Sequence, residues 1–318
     1  MRKSCLMALL PTCLVIATTA VAKPTDAKPP PTEYTLHSGL HYSDADPKLT
    51  LDLYLPREVP KPAPCVVVIQ GGGFVGQDGK RFRPYAEYLA DHGIAAALIA
   101  YRGRPNHTYR DTMADVKAAV RYVRKNAKAH NMDPSRIGAM GKSAGGTLTA
   151  LLDVTGDVKD IEANGGDHEI SSRIQAAVAF AGVFDFVSRF TNPRQIALQP
   201  KLDKKKKTNG EWIGEPFSPS SKAWQAASAV NYIDKGDAPI LLLHCKDDAT
   251  VPWLQTEEMA LRLRKTGVPV EVEYFATGGH GFKTKDRNAP MARMVAFFRK
   301  TLAKQSTVHP QSEGVPAN

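Results

Sequence analysis

Cysteine is scarce in this chain, with four among 318 residues, and two of them, Cys5 and Cys13, fall in the apolar N-terminal stretch. The remaining pair, Cys65 and Cys245, sit at opposite ends of their apolar runs: Cys65 opens "CVVVI" and Cys245 closes "ILLLHC". In a parallel sheet those ends lie roughly 15 Å apart at about 3.3 Å per residue. A disulfide needs Cα atoms within about 7 Å, so two unpaired thiols are expected and a disulfide-stapled fold is excluded. Beyond the first 22 residues, no apolar run is long enough to cross a bilayer. His, Cys and Asp nowhere cluster at metal-ligand spacing, so neither a metal nor an organic cofactor is implied. No internal repeat occurs. What is present is an ordinary globular composition, 42% hydrophobic and 23% charged, long enough for one large α/β domain or two small ones.

The N-terminus differs from the rest. Arg2 and Lys3 precede "CLMALLPTCLVIATTAV", and Ala20-Val21-Ala22 supplies small residues at its end. This is the pattern of a secretory signal peptide spanning residues 1–22, which places the mature chain outside the cytoplasm, secreted or periplasmic. An uncleaved anchor and a lipoprotein with Cys13 as the modified residue are the alternatives. Residues 23–33, "KPTDAKPPPTE", form a Pro-rich tether. The formal charge is +10, or +8 without Arg2 and Lys3. Much of the excess lies in "KLDKKKKTNG", where Lys204 to Lys207 precede Asn-Gly without visible periodicity, the pattern of a solvated loop. A nucleic-acid surface would interleave aromatics or offer a recognition helix, and neither is present.

From Tyr34 the pattern alternates. "LTLDLYL" has period two, with Leu49, Leu51, Leu53 and Leu55 on one face, a half-buried strand. "CVVVIQ", "IAAALIAY", "IGAMG", "AAVAFAG", "ILLLHC" and "VEVEYF" are short, mostly apolar runs suited to a parallel sheet covered on both faces. Between them, "DTMADVKAAVRYVRKNAKAHNM" places Val116, Val120 and Val123 at helical spacing up to Asp133-Pro134. "VPWLQTEEMALRLRKTG" runs to Gly267, and "APMARMVAFFRKTLAK" closes the domain. Strands alternating with helices of this length predict a doubly wound α/β fold. Two stretches interrupt it, a polar loop at 154–174 and an insertion at 184–232, and insertions near the C-terminal sheet edge are where substrate selection is built. The domain is expected over 34–304, followed by a flexible tail, 305–318.

"IGAMGKSAGG", Ile137 to Gly146, contains two incompatible motifs. A phosphate-binding loop requires glycine five residues before Gly141, and that position is Arg136. G-x-S-x-G over Gly141–Gly145 fits instead. Three such positions coincide by chance about once in ten chains of this length, so the context carries the reading. An apolar run precedes Ser143 and a helix-capable run follows, the strand–turn–helix that presents a nucleophile. Such a serine needs a base oriented by an acid. Asp247 and Asp248 follow the run "LLLHC", and His280 lies between glycines after "VEVEYF". "VVVIQGGGFVG" offers Gly71–Gly73 as backbone amides for an oxyanion. A nucleotide loop forced through Gly71, Gly73 and Gly76 lacks the helix that should follow it.

With these elements in order, the chain resembles the α/β-hydrolase superfamily, and within it the branch of small esterases that includes hormone-sensitive-lipase-like and acetylxylan/feruloyl esterases. The resemblance runs from about Tyr34 to Leu302 through "LTLDLYLP", "VVVIQGGGF", "AYRG", "DVKAAVRYVRKNA", "MDPSRIGAMGKSAGG", "SAVNYI", "PILLLHCKDDATVP" and "GGHGF". It implies a mostly parallel central sheet with helices on both faces and a small insertion over the active site. It also implies Ser143 as nucleophile, His280 as general base, and Gly72, Gly73 and the Ala144 amide as oxyanion hole. The family's H-G-x-x-D-x-x-V-P falls on His244, Asp248 and Val251-Pro252 and selects Asp248 over Asp247 as the acid. Two departures stand out: Gln70 replaces the histidine of H-G-G-G-[FW], and Cys245 replaces the glycine after His244. Lys142 occupies the variable position of the turn, with no role assigned.

The resemblance implies an exported serine carboxylic-ester hydrolase acting through an acyl-enzyme on a small ester or an esterified plant polysaccharide, with acetyl or feruloyl groups removed. A prolyl-oligopeptidase-like peptidase would want a large N-terminal domain that this chain has no room for. A non-catalytic binding protein of the same fold, and an acyltransferase sharing the acyl-enzyme, are the remaining rivals. Acyl length, alcohol moiety and oligomeric state do not follow from the pattern.

Overall fold

A computed structural model describes residues 33–57, 62–156, 158, 161, 169–286 and 288–303. The expected leader, nearly all of the tether, the tail and the middle of the 154–174 loop lie outside these residues. Eight strands form one sheet: β1 (Tyr34–His41), β2 (Thr50–Pro56), β3 (Ala63–Ile69), β4 (Ala95–Ile99), β5 (Met132–Lys142), β6 (Ala176–Phe180), β7 (Ile240–Cys245) and β8 (Val270–Phe275). Their spatial order is β1-β2-β4-β3-β5-β6-β7-β8. The β1–β2 and β2–β4 pairs are antiparallel and every later pair is parallel.

Strand pleating sorts the apolar runs onto two faces. Cys65, Val67 and Ile69 of β3 enter one core, and Val66 and Val68 enter the other. Likewise Ala95, Ala97 and Ile99 of β4 face one side, and Ala96 and Leu98 the other. The first core is covered by α2 (Tyr109–Asn126), α3 (Ala144–Thr155) and α8 (Leu254–Thr266), the second by α1 (Arg83–Asp91) and α9 (Ala289–Thr301). Each fully buried valine or leucine contributes about 1.5–3 kcal/mol, so continuous apolar strands are what a doubly covered sheet demands.

Three features depart from the expected pattern. β1 has only half-buried and exposed residues, and its register shifts between His37 and Leu40, with Gly39 at φ 69°. An edge strand with a bulge shows no clean alternation. The helix expected to run to Met132 ends at Asn126, a 3₁₀ turn follows over Lys128–His130, and left-handed Asn131 (φ 53°) turns the chain into β5.

Thirdly, Lys204–Lys207 are not in a loop. They form the amino-terminal half of α6 (Leu202–Ile213), which follows α4 (Ser188–Thr191) and α5 (Pro193–Ala197) and precedes α7 (Lys222–Ala226) in the insertion. The residues that anchor α6, Asn209, Gly210, Trp212 and Ile213, are all in its last half, so the lysine run displays no apolar stripe. Asn209-Gly210, a turn signal in isolation, lies inside this helix, which stops instead at left-handed Gly214 (φ 99°). Trp212 and Trp224 are fully buried and continuous with the core beneath the sheet edge. Among the described residues no helix is long and apolar enough to cross a membrane.

Candidate active site

The carboxyl ends of β3, β5, β7 and β8 open at one edge of the sheet, the position where doubly wound folds bind ligands. β5 passes directly into α3 through Ser143, whose backbone is held at φ 60° and ψ −123°. This conformation costs a non-glycine residue of the order of 1–3 kcal/mol and persists only where the surroundings enforce it. Here the Ser143 amide donates to Phe180 O at 2.8 Å and the Thr147 amide donates to Ser143 O at 3.0 Å. The turn also demands small neighbours: a methyl on Gly141 would collide with the Gly145 carbonyl, and one on Gly145 with the Ile69 carbonyl.

The turn lifts Ser143 Oγ to 2.8 Å from His280 Nε2. His280 Nδ1 in turn lies 2.7 Å from Asp248 Oδ2. An ionised carboxylate only accepts, so Nδ1 carries the proton and Nε2 presents its lone pair to the serine hydroxyl. Asp248 Oδ1 accepts from the amides of Thr250 (2.7 Å) and Val251 (3.0 Å). Burial alone would raise the Asp248 carboxyl, but hydrogen bonds from His244, His280 and the Val251 amide hold it well below the usual carboxylate range. His244 is itself fully buried, with Nδ1 2.8 Å from Thr256 Oγ1 and Nε2 3.1 Å from the Val251 carbonyl.

Asp247, the other acidic candidate, faces the opposite way. Its two oxygens accept from the amides of Gly278 (3.1 Å) and Gly279 (2.8 Å), capping the turn that carries His280. Cys245 now has a physical setting: its sulfur is buried, and a Cβ on Gly278 would come within 3.0 Å of it, so it packs beneath the histidine loop. Both Cys65 and Cys245 are free thiols. Lys142 is half-buried with its ammonium 6.0 Å from the Phe82 ring centroid, on the helix-α1 side of the sheet.

Gly72 and Gly73 lie in the loop after β3, and Ala144 is the first residue of α3. Gln70, in the family's histidine position, is buried and donates through Nε2 to Gln77 Oε1, while its own Oε1 has no partner. Gln77 Nε2 donates to Val75 O at 2.9 Å, so the glutamine pair ties the loop after β3 to itself.

Several contributors carry no sequence signal. Arg189 of α4 is buried and reaches three neutral acceptors: Gln199 Oε1 (3.1 Å), Asn209 Oδ1 (3.2 Å) and the Thr250 carbonyl (2.9 Å) beside Asp248. Burial pushes its guanidinium down to about 10 against the pull of Asp248. Lys205 Nζ donates to Ala249 O at 3.1 Å, and burial together with Arg189 pushes it down to about 8, with Asp248 opposing. The insertion thereby holds the acid-bearing loop at two successive carbonyls. On the other flank Trp212 stacks on Phe74 at 4.0 Å and 18°, and its indole N–H donates to Thr112 Oγ1 at 3.0 Å.

Known proteins resemble this chain in fold and sequence. A carbohydrate esterase from gut microbiota, solved in truncated form, superposes with a TM-score of 0.75 at 27% identity, covering 86% of this chain and 98% of that one. An acetyl ester-xyloside bifunctional hydrolase from Caldicellulosiruptor lactoaceticus gives 0.66 at 27% identity, covering 79% and 88%. The probable carboxylic ester hydrolase LipM of Mycobacterium tuberculosis is 28% identical over 257 residues, 80% of this chain and 58% of that protein. The chain spans about six tenths of the length of the first curated relatives it matches, 58% and 63%. The fold is that of the α/β-hydrolase esterases. A match to the BD-FAE family model over residues 51–263, well over half of the chain, shows that this protein belongs to the BD-FAE family.

Proposed function

We propose that this protein is a serine carboxylic-ester hydrolase with Ser143 as nucleophile, His280 as general base and Asp248 as the acid that orients it. The observation that carries the reading is the continuous path from Ser143 Oγ through His280 Nε2 and Nδ1 to Asp248 Oδ2, with separations of 2.8 and 2.7 Å. As Ser143 Oγ attacks an ester carbonyl, its proton passes to His280 Nε2, and the carboxylate of Asp248 stabilises the resulting imidazolium. Amides of Gly72, Gly73 and Ala144 receive the charge on the former carbonyl oxygen. The carbonyl–alkoxy bond breaks, the imidazolium proton goes to the departing alcohol, and water hydrolyses the acyl-enzyme by the same relay.

The substrate class we infer is a short-chain (acetyl) or a feruloyl ester, borne by a small alcohol or by plant polysaccharide. Similarity to a carbohydrate esterase and to an acetyl ester-xyloside bifunctional hydrolase supports that class. The stretch of residues 1–22, apolar after Arg2 and Lys3 and ending in small residues, supports action outside the cytoplasm. The test is covalent labelling with a fluorophosphonate, together with turnover of acetyl, butyryl and feruloyl esters and acetylated xylan. Ser143→Ala should abolish both labelling and turnover while leaving the thermal melt in place. Unchanged turnover in that variant overturns the assignment.

A further inference from the structure

The loop after β3 is gripped from behind. A Cβ on Gly71 would collide with the Lys142 carbonyl and stand 3.1 Å from Ser143 Cβ, so this glycine lies against the turn that presents the serine. A Cβ on Gly72 would collide with Gln77 Nε2 and stand 3.0 Å from Arg81 Nη2. The loop is therefore sandwiched between the serine turn on one side and the Gln77–Arg81 pair on the other.

Three successive carbonyls of this loop are engaged. Gly71 O accepts from Arg81 Nη2 at 3.3 Å, Gly72 O from the Val75 amide at 3.4 Å, and Gly73 O from Arg104 Nε at 2.7 Å. In a trans peptide the C=O and the N–H of the next residue point to opposite sides of one plane. Fixing the Gly71 carbonyl thus fixes the Gly72 N–H, and fixing the Gly72 carbonyl fixes the Gly73 N–H. The first of these bonds comes from a side chain, and the same Arg81 Nη2 also reaches Gln77 Oε1 at 3.0 Å. That oxygen is the acceptor for Gln70. A single guanidinium nitrogen therefore ties the peptide carrying the Gly72 amide to the glutamine pair that stands where relatives have a histidine.

We propose that Arg81 is the positioning residue of the oxyanion hole, presetting the Gly72 amide through the Gly71 carbonyl and holding the Gln70–Gln77 pair that replaces the missing histidine. The inference rests on the esterase reading above. Arg81 touches no reacting atom. Its effect appears when charge develops on the substrate oxygen, because an amide free to rotate must be reoriented during the step, whereas a preset one need not be. Its cation also reinforces the polarity of the peptide it grips.

The measurement is kcat and KM for p-nitrophenyl acetate in wild type, Arg81→Met and Arg81→Lys, normalised to the serine titrated by a fluorophosphonate burst. Arg81→Met should lose about tenfold to a hundredfold in kcat per titrated serine with KM within about threefold, since a full oxyanion donor is worth roughly 10²–10³. Arg81→Lys, which keeps the charge on a shorter reach, should recover part of the loss, and the rate of phosphonylation should fall in step with kcat. A loss confined to KM, or to the fraction of protein that titrates at unchanged kcat, assigns Arg81 a purely structural role and overturns the proposal. So does an Arg81→Met variant whose kcat equals that of wild type. A wild-type chain that neither titrates nor turns over overturns the esterase reading itself, and this inference with it.

Discussion

Asp153 is a carboxyl group placed where burial works against its charge. It lies in the last turn of α3 and is 4% exposed, with no side-chain partner for its oxygens. Burial pushes its carboxyl well above the ordinary value, nearby Asp237 pushes the same way, and the Ala238 amide and Arg173 oppose. The negative end of the helix adds to the penalty. The sign follows from linkage: a carboxyl whose folded pKa is raised contributes fully below its unfolded value and loses that contribution as pH rises toward the folded one. The wild-type protein should therefore lose about 1.4 kcal/mol of stability per pH unit from this group once the unfolded chain ionises near pH 4. Asp153→Asn keeps the shape and a neutral polar head but cannot ionise in either state. At pH 4 it should unfold at nearly the wild-type urea concentration, and its advantage over the wild type should grow as pH rises above that. Urea unfolding of both proteins at pH 4, 5, 6 and 7 measures the difference directly. The reasoning fails if the stability difference is flat with pH, or if the asparagine variant is the less stable protein at pH 7. Activity should be unaffected, because α3 begins at the serine and Asp153 sits at its far end.

Asp248→Asn should lower kcat by about 10³–10⁴ with little change in fold, since an amide at that position leaves the imidazole in the wrong tautomer; steady-state turnover of an acetyl ester tests it, and a loss below tenfold would move the acid elsewhere. Arg189→Met should destabilise the protein by about 2–4 kcal/mol, because the Thr250 carbonyl, Asn209 and Gln199 lose their donor, and the melting temperature should fall together with kcat. Burial pushes the Cys65 thiol up to about 12 and the Cys245 thiol up to about 11, so neither should react with a thiol reagent at pH 8 in the native protein. Both should react at once in guanidinium, and native-state reaction of either would contradict its burial.

Much of this is legible in the sequence, for a physical reason. Strands buried on both faces must be almost wholly apolar, so β3, β4, β6 and β7 announce themselves as continuous runs. β1, half exposed at the edge with a bulge at Gly39, has no reason to alternate and left no signal. The serine turn was visible because glycines at 141 and 145 are steric requirements. The choice between Asp247 and Asp248 was not legible from residue type, since both are carboxylates one position apart. It depends on which side of the β7 loop each side chain leaves, and the structure directs one to His280 and the other to the amides that cap its turn.

The supports of the site were the least visible part, and the lysine run shows why. Charge density and the absence of an apolar stripe describe a solvated loop when only neighbouring residues are compared. A helix whose buried residues all lie in its last turns satisfies the same description. Once α6 is formed, Lys205 reaches the Ala249 carbonyl, Asn209 holds Arg189 against the Thr250 carbonyl, and Glu211 pairs with Arg104 at 2.6 Å, which in turn grips Gly73. One helix of the insertion thereby touches both the loop that carries the acid and the loop that carries the glycine amides. These couplings join residues as far apart in sequence as Arg104 and Glu211, so no local window contains them. An insertion packed this way cannot move as a free lid without disturbing the two loops it braces. Changes at the foot of α6 should therefore alter the chemical step before they alter which ester is accepted.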